Sequence, residues 1–558
     1  MGREWLRAVA MAVAVLVAGP IRLSADESDQ REMARLASGD ESQIEAAVAA
    51  LVARYDPLHY TLLQGLFTGE VYRWEEHLAQ SGLVIIGEEE MDEYGDSIVP
   101  LFTVYPQREP ILAEGGAPVK ISLYDLEEVE TGRVIRALIQ PYLLQVELFH
   151  PDRSKRLIAA ENIGNKGNAE AVPVLRQAIE QEQDASIRRV KRVSLAKLLL
   201  GDADPEVRLW AIAELEDLWS PLAIPVLKER LTPEVESDPE VRAQAALALR
   251  SLQRFSSFMQ VVQTAFIGLS LGSILVLMSL GLAIIYGQMG VINMAHGEFM
   301  MIGAYTTFVV QELCLTLLPP AYSDFFFAFS FPLAFLVAAS FGLVLEALVI
   351  RRLYSRPLES LLATWGISLI LVQAARSIFG DLTAVRLPKI LSGGWELAPQ
   401  IILPYNRMFI MALAVIVVGG LLTLFFRTRF GLRLRATTQN REMSACVGVP
   451  VRRVDSLAFA LGTGIAGIAG WAMTLVGNVV PNMGQTYIVD SFLVVVTGGV
   501  GKLMGTISAG LGIGIFNKVL EPVFEAVYGK VILLGLIVFF LQSRPTGLFP
   551  AKGRSEEL

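Results

Sequence analysis

In the apolar, glycine-rich run from Tyr286 to Tyr305, an amide, an imidazole and a carboxylate stand close together as Asn293, His296 and Glu298. An unpaired group of this kind in hydrocarbon is costly, so such residues face a bundle interior or a water-filled path. The chemistry they offer is hydrogen bonding to a solute. His296 is the only histidine after residue 258, and a zinc site of the His-x-x-x-His type needs a second one a helical turn away, so no metal centre is expected. The alternative role is helix-to-helix glue: Asn293 and His296 are spaced to share a helix face, and Gly297 and Gly303 would let a neighbouring backbone approach. Thr364, Trp365 and Ser368 lie deep in a second apolar run and join them as candidates for lining a path. No catalytic residue and no cofactor is expected in this chain.

A second group of residues is built for docking. Residues 427–453 carry Arg427, Arg429, Arg433, Arg435, Arg441, Arg452 and Arg453 against the single acid Glu442. Inside this basic loop Asn440 is placed to cap a short helix, with Arg441 and Glu442 in its first turn, a small Ala445, and Gly448 to end it before Pro450. A short capped helix has the shape of a knob for a socket, whereas a loop serving topology alone needs neither cap nor small residue. The glycines of Gly498, Gly499, Gly501 and Lys502 do not make a phosphate loop, because Leu503 stands where Ser or Thr would hold the metal. Any ATP hydrolysis is therefore expected in separate subunits.

These residues need elements to hold them, and the chain has two unlike parts. Residues 259–558 carry 20 Lys/Arg against 14 Asp/Glu, so the overall net charge of −9 leaves −15 on residues 1–258. An acidic front part argues against nucleic acid as a partner. The front begins with Arg3, Arg7, an apolar run from Ala8 to Gly19 and Ala25 before Asp26, the pattern of a secretory signal over residues 1–25, with an uncleaved anchor as the alternative. Residues 26–258 are then expected outside the cytoplasm. Within them Asp204-Pro205 and Asp238-Pro239 each open an amphipathic helix in a repeat over residues 157–253, as HEAT-like helix pairs do. A helix is expected over residues 43–55, and residues 83–86 and 118–121 read as strand-like. Cys314 and Cys446 are the only cysteines, so no disulfide framework is expected.

Beyond Phe258 come apolar stretches near 261–285, 297–318, 326–350, 360–379, 401–426, 454–478, 487–503, 506–522 and 527–542, an all-α membrane region of eight or nine spans. The polar signature near 287–297 and the glycines near 498–512 are the candidates for a broken segment. The basic loops 351–359 and 427–453 point to the cytoplasm, which puts the N-terminal domain outside and the C-terminus inside. Glu346 and Arg376, near span ends, are expected to snorkel to the interface.

Residues 259–558 resemble the permease subunits of the branched-chain amino acid and urea/amide family of ABC importers. The resemblance rests on the Tyr286–Tyr305 signature, the 433–451 segment and the 498–505 glycines. Gln288-Met289, the ending Arg544-Pro545-Thr546-Gly547-Leu548-Phe549 and the long exported front point to its urea branch. The resemblance implies a multi-pass protein of the bacterial inner membrane and a second homologous permease. It also implies two ATP-binding subunits at the cytoplasmic face and a periplasmic substrate-binding protein. The substrate would be urea, or alternatively a branched-chain amino acid; a passive channel would need no docking helix. It makes Asn440, Arg441, Glu442, Ala445 and Gly448 the contact with the ATPase, and the polar signature part of the path.

Overall fold

The computed structural model describes residues 27–549 apart from residues 55, 75–81, 88, 92–96, 106–107, 114–117, 167–168, 318, 355 and 399–400. The expected signal segment, residues 1–25, lies outside the described residues. The chain divides into two compact units, Met1–Gln253 and Arg254–Leu558.

The first unit begins with helices α1 (Glu27–Leu36), α2 (Glu41–Ala53) and α3 (Tyr60–Thr68). An antiparallel six-stranded sheet follows, β1 (Val71–Arg73), β2 (Leu83–Ile86), β3 (Glu90–Met91), β4 (Ser97–Thr103), β5 (Lys120–Ser122) and β6 (Glu127–Glu128), in the order β3-β4-β2-β1-β6 with β5 also on β4. Within a chain that is mainly helical, residues 83–86 and 118–121, read as strand-like, supply β2 and the start of β5 of this sheet. Its cause is visible in Leu83, Val84 and Ile85: alternate residues enter different cores, Leu83 and Ile85 joining Leu62, Leu66 and Tyr142, while Val84 joins Val99 and Leu101.

Helices α4 (Arg133–Glu147), α5 (Arg153–Lys166), α6 (Val172–Gln181), α7 (Ala185–Leu199), α8 (Pro205–Asp217) and α9 (Ile224–Glu229) continue into α10 (Pro239–Met289). The repeat is regular at the level of hydrogen bonds. Asp184, Asp204 and Asp238 accept from the first-turn amides of Ser186, Glu206 and Glu240. Four residues after each of these, and after Asp152, an arginine donates to the carbonyl six residues before itself: Arg156 to His150, Arg188 to Glu182, Arg208 to Asp202 and Arg242 to Glu236. Two of these arginines also clamp a buried glutamate. Arg208 meets Glu236 at 2.9 Å through both nitrogens, and Arg156 meets Glu182 at 3.0 Å. The sequence shows two copies of this clamp through their Asp-Pro; the Asp152 and Asp184 copies lack the proline and so pass unnoticed.

The second unit holds α11 (His296–Leu317), α12 (Phe326–Leu348), α13 (Pro357–Phe379), a hairpin β7 (Gly394–Ala398) and β8 (Ile401–Pro404), α14 (Tyr405–Arg427), α15 (Arg429–Gln439), α16 (Arg441–Cys446), α17 (Val451–Met473), α18 (Met483–Gly498) and α19 (Leu503–Ser543). Among the described residues, seven helices are long and apolar enough to cross a membrane. The other two expected spans coincide with shorter helices, α18 with 16 residues and Tyr528–Ser543 beyond a break at Glu525. At 1.5 Å per residue, α18 reaches about 24 Å, short of a ~30 Å hydrocarbon core. Helix α17 is the hub. Its Gly462, Gly467 and Gly470 face Gly281, Ala334 and Met300 so closely that a Cβ would meet backbone.

Removing one partner of the buried Arg208–Glu236 pair leaves a stranded charge, at a cost of about 3–5 kcal/mol. Arg208→Ala should therefore remove the protease-resistant front fragment from the membrane-inserted full chain; resistance equal to the parent would show that the clamp does not hold the stack. Burial raises the pKa of Glu236, but its bonds from Arg208 and from the Asp238 amide outweigh this and leave it below 4.5. This contribution is present above pH 4.5 and is lost as pH falls through the depressed value. The same fragment should thus become protease-sensitive on acidification.

Candidate functional site

Helix α10 ends at Met289, and Gly290, at φ 68°, turns the chain back. Residues 290–295 then run alongside α10 into the bundle. The buried His296 ring reaches the Met278 carbonyl, its Nε2–H donating at 3.2 Å, eleven residues before the end of α10. Eleven residues of helix are about 16 Å, so α11 begins halfway through the bundle. Asn293 is therefore not on a helix face with His296 as expected. It sits in the linker, its Oδ1 accepting from the Ala295 amide at 3.1 Å.

A second linker enters from the opposite end. Residues 474–482 follow α17, and Val479 pairs with Thr383 beyond the end of α13. Helix α18 then starts at Met483, directly against the start of α11. A Cβ on Gly484 would stand 2.6 Å from the Gly297 carbonyl carbon and 2.7 Å from a Glu298 carboxylate oxygen. Helix α11, of 22 residues, and helix α18, of 16, thus begin at the same depth and run to opposite ends, with their N-termini crossing at Gly297 and Gly484. Val291, Asn293 and Ala295 of the first stretch and Thr474, Leu475, Val479 and Pro481 of the second are packed in protein, which makes non-helical backbone tolerable there, while Gly477, Asn478 and Asn482 are exposed.

The polar side chains gather at this crossing. Glu298 is fully buried; its Oε1 accepts from Ser368 at 2.8 Å, and its Oε2 has no partner among the described residues. Thr364 accepts from the Met294 amide at 3.1 Å. The Nδ2 of Asn293 is buried without a partner among the described residues, and Asn293 lines a cavity of about 140 Å³ with Leu282, Ile292, Ile488 and Phe492. Thr364 and Ser368 are brought to the site, but Trp365 is 52% exposed on another face of α13. Among the described residues the arrangement leaves one donor, Asn293 Nδ2, and two acceptors, Glu298 Oε2 and His296 Nδ1, without partners, beside two helix N-termini in a mostly apolar setting.

The basic end of the bundle is tied to this site. Asn440 caps α16 by accepting from the Met443 amide at 2.8 Å, and Gly448 ends it at φ 84°. Glu442, Met443, Ala445 and Val447 are exposed, while Arg441 turns inward to pair with Asp455, which is 1% exposed. The Nε2 of Gln288 donates to Asp455 at 3.3 Å and to Thr437 at 2.6 Å, and Thr438 donates to Gln288 at 2.5 Å. The Arg441 guanidinium also lies 5.3 Å over the Tyr354 ring, and Tyr354 donates to Glu346 at 3.0 Å. Glu346 does not snorkel: it is 1% exposed and takes both arms of Arg351, at 3.1 and 2.6 Å. Arg376 does lie at its helix end, paired with Asp381 at 2.8 Å.

Sequence reasoning missed Asp455, although a lone carboxylate near the start of an apolar span, just after Arg452 and Arg453, was a signal. It also missed Asp490 on α18, whose partner Lys530 stands 3.5 Å away on the later part of α19, so the deep spans are not free of charge.

Broken helices meeting at mid-depth, with a capped helix in a basic loop at one end, define a transporter's membrane subunit. Residues 264–541 match the branched-chain amino acid transport system / permease component family, and residues 193–260 match HEAT repeats. The membrane part of the chain belongs to the branched-chain amino acid ABC permease family. Among curated relatives, it is 28% identical over 295 residues to the high-affinity branched-chain amino acid transport system permease protein BraD of Pseudomonas aeruginosa, covering 52% of this chain and 94% of that one. It is 29% identical over 305 residues to the LivH permease protein of the like-named Escherichia coli system, covering 54% and 97%. To the LivM permease protein of the same organism it is 24% identical over 304 residues, covering 50% and 69%. No solved structure gives a significant match to the chain.

Replacing Glu298 by Gln keeps the Ser368 bond but removes the charge at the free oxygen. Uptake per assembled transporter should fall at least about tenfold, the loss of one charge-assisted bond, while the amount of assembled protein changes little. Equal specific activity would assign Glu298 to helix packing alone.

Proposed function

We propose that the chain is one membrane half of an ATP-driven importer and carries branched-chain amino acids. The observation that carries this reading is the crossing at Gly297 and Gly484. Two helix N-termini favour a carboxylate, the Glu298 oxygen without a partner suits an ammonium group, and the cavity beside Asn293 is walled mainly by apolar side chains, aliphatic and aromatic. The names of the curated relatives agree with that substrate. Two different permease proteins, LivH and LivM, belong to the like-named system in one organism, which fits a second homologous permease beside this chain.

The basic end faces the cytoplasm in this proposal, by its excess of arginine, and the first unit lies outside. Helix α16 docks on a separate ATP-binding subunit through Glu442, Met443 and Ala445. Motion of α16 then reaches the linker through Arg441, Asp455 and Gln288, because Gln288 is two residues from the turn at Gly290. A binding protein outside the membrane delivers the substrate, and alternating access moves it past the crossing.

Urea is the second reading, favoured by one observation. The match uses up 94–97% of BraD and LivH but only 52–54% of this chain, so nearly half of the chain has no counterpart in them. A whole additional unit suits a different delivery partner. The Gln288-Met289 pair does not bear on substrate choice, since Gln288 is engaged with Thr437, Thr438 and Asp455.

Uptake of radiolabelled leucine and of radiolabelled urea by membranes carrying the chain with its ATP-binding subunits separates the two. The first reading predicts ATP-dependent leucine uptake that excess urea does not inhibit; the reverse pattern overturns it. Ala445→Arg should abolish either uptake while the chain stays inserted, and unchanged uptake would remove α16 from the coupling role.

A further inference from the structure

At the basic end a larger cavity, about 520 Å³, opens between α10, α14, α15 and the start of α19. It plays no part in the substrate site. Its walls divide by chemistry. Arg435 and Lys502 supply two cations, no carboxylate is in its lining, and neither cation is paired with an acid among the described residues. The Arg435 guanidinium lies 5.2 Å over the Phe426 ring, which sets its direction, and α19 begins in the wall, so its N-terminal dipole adds to the positive field. The rest of the wall carries no charge and is mostly apolar, with Phe426 and Met504 well exposed and Gln288, Thr438 and Gln439 as its neutral polar side chains. Two unpaired cations above an apolar wall, at the level where the spans end, match an amphiphile with an anionic head.

We propose that this cavity binds an anionic phospholipid of the adjacent leaflet, its phosphate between Arg435 and Lys502 and its acyl chains along Phe426 and Met504. A free phosphate would satisfy the cations but leave the apolar wall without a partner. A zwitterionic lipid would satisfy the wall but bring its own cation to a site that holds no acid. The same wall contains Gln288 and Thr438, so an occupied cavity would stiffen the contact between α10 and α15 from which the linker hangs.

The full chain, purified in mild detergent and incubated with mixed vesicles of phosphatidylglycerol and phosphatidylcholine, provides the test through mass spectrometry of the retained lipid. The parent should retain phosphatidylglycerol selectively. The double change Arg435→Gln with Lys502→Gln should lower that retention roughly 25-fold, about fivefold for each cation removed. Arg452→Gln with Arg453→Gln, an equal change of charge at exposed positions outside the cavity, should leave it unchanged. Met504→Trp, which fills the apolar wall without touching charge, should lower it as well. Equal loss in the Arg452/Arg453 control, equal retention of phosphatidylcholine, or displacement of the lipid by excess inorganic phosphate would each overturn the proposal.

Discussion

Backbone that is not helical cannot face lipid, because its amides and carbonyls have nothing else to bond. The second unit contains two such stretches, residues 290–295 and 474–482, and much of its construction follows from hiding them. They enter from opposite ends, and each delivers the N-terminus of a helix to the same point. Only glycine at 297 and 484 lets the two starts cross, since a single Cβ would collide with backbone. The glycines of α17 extend the same logic, drawing α10, α11 and α12 into close contact. Close packing replaces the hydrophobic effect as the cohesive force among helices in a bilayer.

The polar network at the basic end follows from the first linker. A chain that reverses at Gly290 needs an anchor before it turns, and Gln288 is that anchor, held by Thr437, Thr438 and Asp455. Asp455 in turn is held by Arg441, which belongs to the capped helix that presents Met443 and Ala445 outward. Glu346, Arg351 and Ser456 brace the neighbouring helix ends. The result is a short line of charge-assisted bonds from an exposed surface to the strand of backbone that carries Asn293. Such bonds hold a geometry better than neutral ones, so displacement of α16 is passed on.

Much of this was legible in the sequence. Apolar length located the helices, Asp-Pro located two repeats, and the cap at Asn440 with the stop at Gly448 located α16. What could not be read was depth. The same apolar residues fit a full span or a half-span, and α18 was taken for a crossing helix because its composition allows both. Glu346 illustrates the other gap: a carboxylate near a span end reads as a snorkelling group until the residue that pairs with it, Arg351, is seen to fold back over it. The sheet in the first unit shows in residues 83–86 and 118–121 but not in its other strands; apart from the seven-residue β4, these have two or three residues and leave almost no periodicity to read.

The crossing of the two half-helices is the claim on which the site, the coupling line and the substrate reading all rest. Gly484→Ala adds one methyl group at the contact and changes nothing else. Overpacking a close backbone contact costs about 1–3 kcal/mol, so the purified variant should unfold at a clearly lower temperature and lose uptake in step. A variant with the parent's thermal stability and uptake would mean that the starts of α11 and α18 do not meet, and the account built on their meeting would fall.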